Sequence, residues 1–188
     1  MESLEQRIEC VIHEEVEVEP SDPAWPDLFL REKQHLLDCL PDGLIQRIEH
    51  FGSTAVPGLS AKPIIDMLVG VTSLADTKTH IVPVLEAQGY EYFWRPTYGD
   101  DRPPWYAWFI KRDANTGKRT HHIHMVESDF TEHWERLLFR DYLIKHPEVA
   151  AEYQSLKIDL AARFPRDRIR YAQEKASFIE RVTGLAKT

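Results

Sequence analysis

The residues best equipped for chemistry lie between Ile48 and Val71, which reads IEHFGSTAVPGLSAKPIIDMLVGV. The run from Ile64 to Val71 is nearly continuous apolar and rich in β-branched residues, and its one charge is Asp66. A carboxylate buried in a strand costs several kcal/mol, on the order of the penalty for a single buried ion, unless a cation, a metal or donors meet it. Asp66 therefore needs a partner. Upstream, Gly52, Ser53 and Thr54 offer backbone N–H groups and hydroxyls in a turn, the arrangement that receives phosphate oxygens, and Lys62 adds a point charge nearby. Two readings stand: a phosphate and cation site, or turn glycines at 52 and 58 with a structural Lys62–Asp66 bridge.

A second constellation is THHIHMVE, Thr120 to Glu127. Strand alternation puts His122 and His124 on one face and His121, Ile123, Met125 and Glu127 on the other. Two imidazoles two residues apart can reach one metal ion; the plainer alternative is a surface pair hydrogen-bonded to its neighbours. With Asp66, His122 and His124 make a two-histidine, one-carboxylate set of the kind that activates water in a metal-dependent hydrolase.

The elements that must position these groups read as an α+β fold. Residues 10 to 19 form an edge strand or extended arm with an acidic face. Ser21-Asp22-Pro23 starts a helix whose stripe of Trp25, Leu28, Phe29, Leu36, Leu37 and Leu40 ends near Pro41-Asp42-Gly43. Strands follow at Gln46 to Phe51 and Ile64 to Val71, then a helix from Thr79 to Gln88 closed by Gly89. Tyr90 to Arg95 and Trp105 to Lys111 read as aromatic-rich strands. Their Trp94, Tyr98, Trp105, Tyr106 and Trp108 are core or the wall of a pocket, while Asp100 and Asp101 in the connecting loop serve solvation. DANTGK at 113 to 118 is a hairpin turn before the histidine strand. Helices over Thr131 to Lys145, Glu148 to Phe164 and Asp167 to Val182 complete the chain, and Arg140, Lys157 and Lys175 on them are candidate phosphate-side cations. The whole reads as one domain, residues 1 to 188. It has a mixed sheet of about five strands, flanking helices and a C-terminal helical segment.

Composition narrows the partners. The 188 residues are 43% hydrophobic and 29% charged, with a formal charge of -8 that repels a phosphate backbone. Nucleic acid is thereby disfavoured, whereas a small phosphorylated ligand in a locally positive pocket is not. The charged N-terminus has no apolar core of signal-peptide length, and no run reaches the ~20 apolar residues of a membrane span, so a cytoplasmic protein with no membrane partner is expected. Cys10 and Cys39, far apart in sequence, are expected as reduced thiols.

The motif GSTAVPGLSAKPIIDMLVGV resembles the signature of the GrpB (UPF0157) family, which is assigned to the nucleotidyltransferase superfamily. The likeness extends to DPAWPDLFLREK at 22 to 33, RTHHIHMVE at 119 to 127, FRDYLIKHPEVAAEYQSLKIDLAARF at 139 to 164 and YAQEKASFIERV at 171 to 182. The resemblance implies a nucleotidyltransferase-like fold. In it a glycine-serine turn grips nucleotide phosphates and two carboxylates on the next strand hold divalent ions for nucleotidyl transfer. Gly52 and Ser53 match the turn and Asp66 matches the first carboxylate, but Leu68 stands where the second belongs. The implied site is Gly52, Ser53, Thr54 and Lys62 for a nucleotide or other phosphorylated small molecule. Asp66 is its catalytic residue, binding Mg²⁺ or another divalent cation, and His122 and His124 form the opposite wall and complete the metal set. Glu49 and Glu127 are candidates for the missing carboxylate. The alternatives are a ligand-binding or regulatory domain that has lost transfer, and the histidine-metal hydrolase.

Overall fold

In a computed structural model the described residues are 9, 12–96 and 104–188. Cys10, Tyr98, Asp100 and Asp101 lie outside them.

The first helix, α1, is Trp25–Cys39. Its start differs from the expected cap: Asp22 Oδ1 accepts from the Ala24 N–H at 2.8 Å, so the aspartate closes the turn before the helix and Pro26 sits in the first turn. β1 (Ile45–Phe51) leads into a 3-10 turn, Ser53–Ala55, and β2 is Ile65–Val71. The next helix, α2, begins earlier than its sequence pattern suggests. It runs as Leu74–Asp76, a π turn Thr77–Ile81 and then Val82–Ala87, with the Ser73 hydroxyl accepting from Asp76 N–H. β3 (Glu91–Pro96), β4 (Trp105–Arg112) and β5 (Arg119–Glu127) follow.

The long helix expected after β5 is two: a short α3, Thr131–Trp134, and α4, Arg136–Lys145. α5 is Pro147–Arg163. The last predicted helix also breaks, at Lys175, into α6 (Arg168–Glu174) and α7 (Ala176–Ala186).

The strands form one five-stranded sheet in the order β1-β2-β5-β4-β3, in which β2 and β5 are parallel and the other pairs antiparallel. Central strands buried on both faces need apolar residues at successive positions, which is why β2 reads as a continuous run. One face carries Met67, Val69, Ile123, Met125 and Phe109 and packs under Trp25 and Leu36 of α1 and Ile81 and Leu85 of α2. The other carries Phe51, Leu68, Trp108, Tyr106 and Val126 under Leu137 of α4. The helices α4, α5 and α7 build their own core from Phe139, Leu143, Tyr153, Phe178 and Val182. Val56 and Leu59, just after the Ser53–Ala55 turn, join that cluster and so tie the turn to the C-terminal helices.

The acidic N-terminal segment is an extended arm rather than a strand of the sheet. Val16 N–H donates to the Pro165 carbonyl at 2.8 Å, and Glu19 makes an isolated bridge with Ala61.

Candidate functional site

The sheet register assembles the site. Phe51, Asp66, His122 and Ile110 form one cross-strand row, and Glu49, Leu68, His124 and Trp108 form the next. Cross-strand neighbours share a face, so the parallel pairing of β2 with β5 sets Asp66 beside His122, 56 residues on. His122 Nδ1 lies 3.2 Å from Asp66 Oδ1. One ligand atom from each of Asp66, His122 and His124 falls within 4.8 Å of the others. Both histidines therefore face the carboxylate, as alternation along THHIHMVE requires.

Hydrogen bonding fixes the proton positions. Arg119 Nη1 is 3.4 Å from His122 Nε2, and a guanidinium only donates, so Nε2 accepts and Nδ1–H donates to Asp66. Burial pushes His122 down to about 4, against the pull of Asp66, so the ring is neutral at pH 7. Burial also opposes ionisation of Asp66, but the hydrogen bond from His122 and the charges of Lys62 and Lys175 outweigh it and hold the carboxyl below its usual range. His124 is 7% exposed, and burial, Arg136 and neighbouring histidines keep it neutral. Its Nδ1 is buried without a hydrogen-bond partner.

The turn between β1 and β2 sits directly on this carboxylate. Gly52 has φ of 74°, and a Cβ there would lie 2.5 Å from Asp66 Oδ2. Glycine is thus demanded both by the backbone and by the close approach. Ser53 hydrogen-bonds the Tyr153 hydroxyl, which fixes the turn against α5. Thr54 is turned away: only 5% exposed, its hydroxyl donates to the Ile64 carbonyl and meets His50 Nε2 at 3.0 Å. That hydroxyl is committed within the protein, so any part Thr54 takes in binding falls to its backbone N–H.

Lys62 does not bridge Asp66. Among the described residues Asp66 is met by a hydrogen bond from the neutral ring of His122, and the Lys62 ammonium lies 5.2 Å from the Tyr171 ring. Lys175 reaches the same ring at 4.5 Å from the break between α6 and α7. Burial, Lys175 and Arg168 push Lys62 well below its ordinary value, and burial brings Lys175 to about 8 despite the attraction of Asp66. Of the other candidate cations, Lys157 is 2% exposed and donates to the Ser60 carbonyl. Arg140 is held by Glu49, Asp141 and the His50 carbonyl. Both are structural.

Neither candidate second carboxylate joins the cluster. Glu127 is on the opposite face, accepting from Leu74 N–H at 2.7 Å. Glu49 shares the face of Asp66 but is paired with Arg47 at 2.9 Å and Arg140 at 3.3 Å. Leu68 is fully buried.

Several contributors carry no local pattern in the sequence. Phe51, Tyr106 and Trp108 pack their rings around His124 at centroid distances of 5.2, 5.5 and 6.1 Å, so two of the five strand aromatics are the site wall. Trp94 belongs to the opposite face. Beyond this wall stand Arg95, Arg136 and the fully buried His133. At the other end, Glu14 of the arm binds Arg119 at 2.5 Å, Arg112 at 2.7 Å and Arg168 at 3.5 Å, and so holds the arginine that orients His122. A cavity of 360 Å³ opens there, lined by Lys62, Arg119, Arg168 and Glu14. A separate 290 Å³ cavity, between Val56–Leu59 and the α4–α5 corner, is apolar and remote from Asp66.

A family profile described as GrpB protein matches residues 15–184. The chain belongs to the GrpB family. Among the relatives, a UPF0157 protein of Pseudomonas aeruginosa is 41% identical over 91% of this chain and 67% of its own length. The glutamate-rich protein GrpB of Alkalihalophilus pseudofirmus is 39% identical over 84% of this chain and 88% of its own. A dephospho-CoA kinase of Mycobacterium bovis is 30% identical over 83% of this chain, which corresponds to 42% of the kinase. The crystal structure of the conserved protein GrpB from Enterococcus faecalis superposes with a TM-score of 0.77 at 35% identity. That match covers 90% of this chain and 96% of that one, so the GrpB fold is common to both. No helix among the described residues is long and apolar enough to cross a membrane.

Proposed function

We propose that this chain binds a nucleotide or related phosphorylated small molecule at the Asp66 face, together with one divalent metal ion. The observation that carries the reading is the convergence of Asp66, His122 and His124 ligand atoms within 4.8 Å of one another, beside the Gly52-Ser53 turn and two lysines whose charges act on Asp66. Asp66, His122 and His124 would hold the ion. The buried, unpartnered Nδ1 of His124 fits that role, and His122 would offer Nδ1 only as the other neutral tautomer, its proton moved to Nε2 and the Arg119 contact given up. One carboxylate with two neutral imidazoles suits zinc, manganese or iron better than an all-oxygen Mg²⁺ site. Such an ion, when bound, neutralises phosphate charge and polarises a phosphoryl oxygen.

The chain's own groups supply the remainder. Lys62 and Lys175 offset phosphate charge, Ser53 offers its hydroxyl at the turn, and the neutral rings of His122 and His124 are ready to accept a cation without first losing charge. The similarity to part of a dephospho-CoA kinase supports a ligand of the phosphorylated cofactor type.

One observation favours a second reading, a binding domain without transfer. Leu68 is sealed in the core and Glu49 is held by two arginines, so the carboxylate pair that two-metal transfer requires is not assembled. Metal analysis of purified protein, followed by thermal-shift titration with the four nucleoside triphosphates and Mn²⁺ or Zn²⁺, tests both. Retained metal and a raised Tm in wild type, both abolished in Asp66→Asn, support the site, because a ligand bound only to the folded state stabilises it. A flat panel with metal-free protein refutes it. Turnover of a stabilising nucleotide, lost in Asp66→Asn, separates enzyme from binding domain.

A further inference from the structure

We infer that Arg95 and Arg136 form a second oxyanion subsite, across Asp66 and His124 from Lys62 and Lys175, that takes the carboxylate or phosphate group of an acidic ligand. The inference rests on the reading that the Asp66 face is a ligand site, and adds that its ligands are anionic at both ends.

The two guanidiniums ride on the ring cluster that walls His124. Arg95 Cζ lies 4.7 Å from the Trp108 ring and 5.7 Å from the Tyr106 ring. Arg136 lies close enough to Tyr106 for the two to interact electrostatically, and its Cζ is 6.0 Å from the Phe51 ring. Both sit close enough to His124 to oppose its protonation, and they repel each other. Arg112, Arg119, Arg140 and Arg168 each have a carboxylate within 4.0 Å; among the described residues Arg95 and Arg136 have none. Burial and the charge of Arg95 both disfavour the charged form of Arg136 against the pull of Asp66, and an oxyanion held by the two guanidiniums would offset their mutual repulsion. The planar fork of arginine suits a carboxylate or phosphate, and the aromatic rings lie within 6.0 Å of both guanidiniums.

The same corner holds polar atoms with no hydrogen-bond partner: Trp108 Nε1, His124 Nδ1 and both ring nitrogens of His133. The lysine end differs in origin and reach. Lys62 and Lys175 come from the loop before β2 and the α6–α7 break, and their charges act on Asp66. Arg95 and Arg136 come from β3 and α4 and both act on His124, while Arg136 also feels Asp66.

Two-dimensional NMR titration of the full chain with sodium phosphate, and separately with sodium acetate, tests the proposal. The Trp108 indole reports the arginine end and the Gly52 and Ser53 amides the lysine end. Wild type should show two phosphate-binding events. Arg95→Gln should weaken the one seen at Trp108 by about tenfold or more, the scale of a lost hydrogen bond to a charged group, and leave the other. Arg136→Gln should do the same; if it fails to fold, Arg95→Gln alone decides. Acetate moving Trp108 alone would assign the subsite to carboxylates, and phosphate alone to phosphate esters. No response at Trp108 to either anion, or one unchanged in Arg95→Gln, overturns the inference. If Trp108 responds while Gly52 and Ser53 are silent and Lys175→Gln changes nothing, the phosphate end of the proposed function fails and the arginine subsite stands.

Discussion

Gly52 and Asp66 are fitted to each other: the glycine has no side chain, and the one it lacks would fall 2.5 Å from Asp66 Oδ2 and 3.0 Å from its Cβ. Gly52→Ala should therefore cost about 3 kcal/mol or more, combining strain at positive φ with a contact that cannot relax. Denaturant unfolding measures this. In an Asp66→Gly background the steric part disappears, so the same substitution should cost at least ~0.5 kcal/mol less. Strict additivity would contradict the contact.

Acid should destabilise the fold before ordinary carboxylate titration begins. His50 and His122 are each pushed down to about 4 by burial, whereas an unfolded histidine titrates near ~6.5. Their folded values are depressed, so the unfolded chain binds more protons between the two. Stability is then full above pH ~6.5 and falls as pH drops toward 4, by on the order of 2 to 3 kcal/mol for each ring. Urea midpoints measured from pH 7 to pH 4.5 check the slope. A flat profile would show that these rings protonate freely in the native state.

Removing the charge of Glu14 should be felt at a distance. Glu14→Gln leaves Arg119, whose side chain is 3% exposed, without the carboxylate that holds it 2.5 Å away. A loss of about 3 kcal/mol is expected, the usual cost of stripping one partner from a buried pair. Since Arg119 fixes the His122 tautomer, the NMR signals of His122 Nδ1 and Nε2 should also change, and a variant with native histidine signals would break that link.

Thr54→Val separates structure from binding. It removes the hydroxyl between His50 and the Ile64 carbonyl and should cost about 1 to 2 kcal/mol. Thermal shifts by nucleotide or metal should persist, because that hydroxyl faces inward. Their disappearance would return that hydroxyl to the ligand site.

Legibility in the sequence followed the range of the interactions. The two-residue period of THHIHMVE put His122 and His124 on one face, and the apolar run around Asp66 marked it as a carboxylate in need of partners. Those are local patterns. The choice of His122 over Lys62 as that partner was decided by strand register, which no single segment encodes. Arg136, Arg95 and His133 were invisible for the same reason, each being one polar residue in an unremarkable segment made significant by packing, while Arg119 and His50 lay inside the quoted motifs with no local sign of their partners. Glu14 looked like one more acid on a solvated arm, and its three arginines come from β4, β5 and α6. The helix breaks before Arg136 and at Lys175 interrupt patterns that read as continuous, and both breaks deliver a cation toward the site.

The clasp at Glu14 imposes an order on synthesis. Arg168 follows Glu14 by 154 residues, so the clasp closes only after the chain has been made as far as α6. Until then the carboxylate strand has formed its hairpin with β1, while β5, its parallel partner, waits on the intervening β3–β4 hairpin. A nascent chain thus passes through a stage in which Asp66 lacks both its histidines, and contacts so distant in sequence form slowly. The proposed metal seat is therefore complete only once β5 has paired with β2.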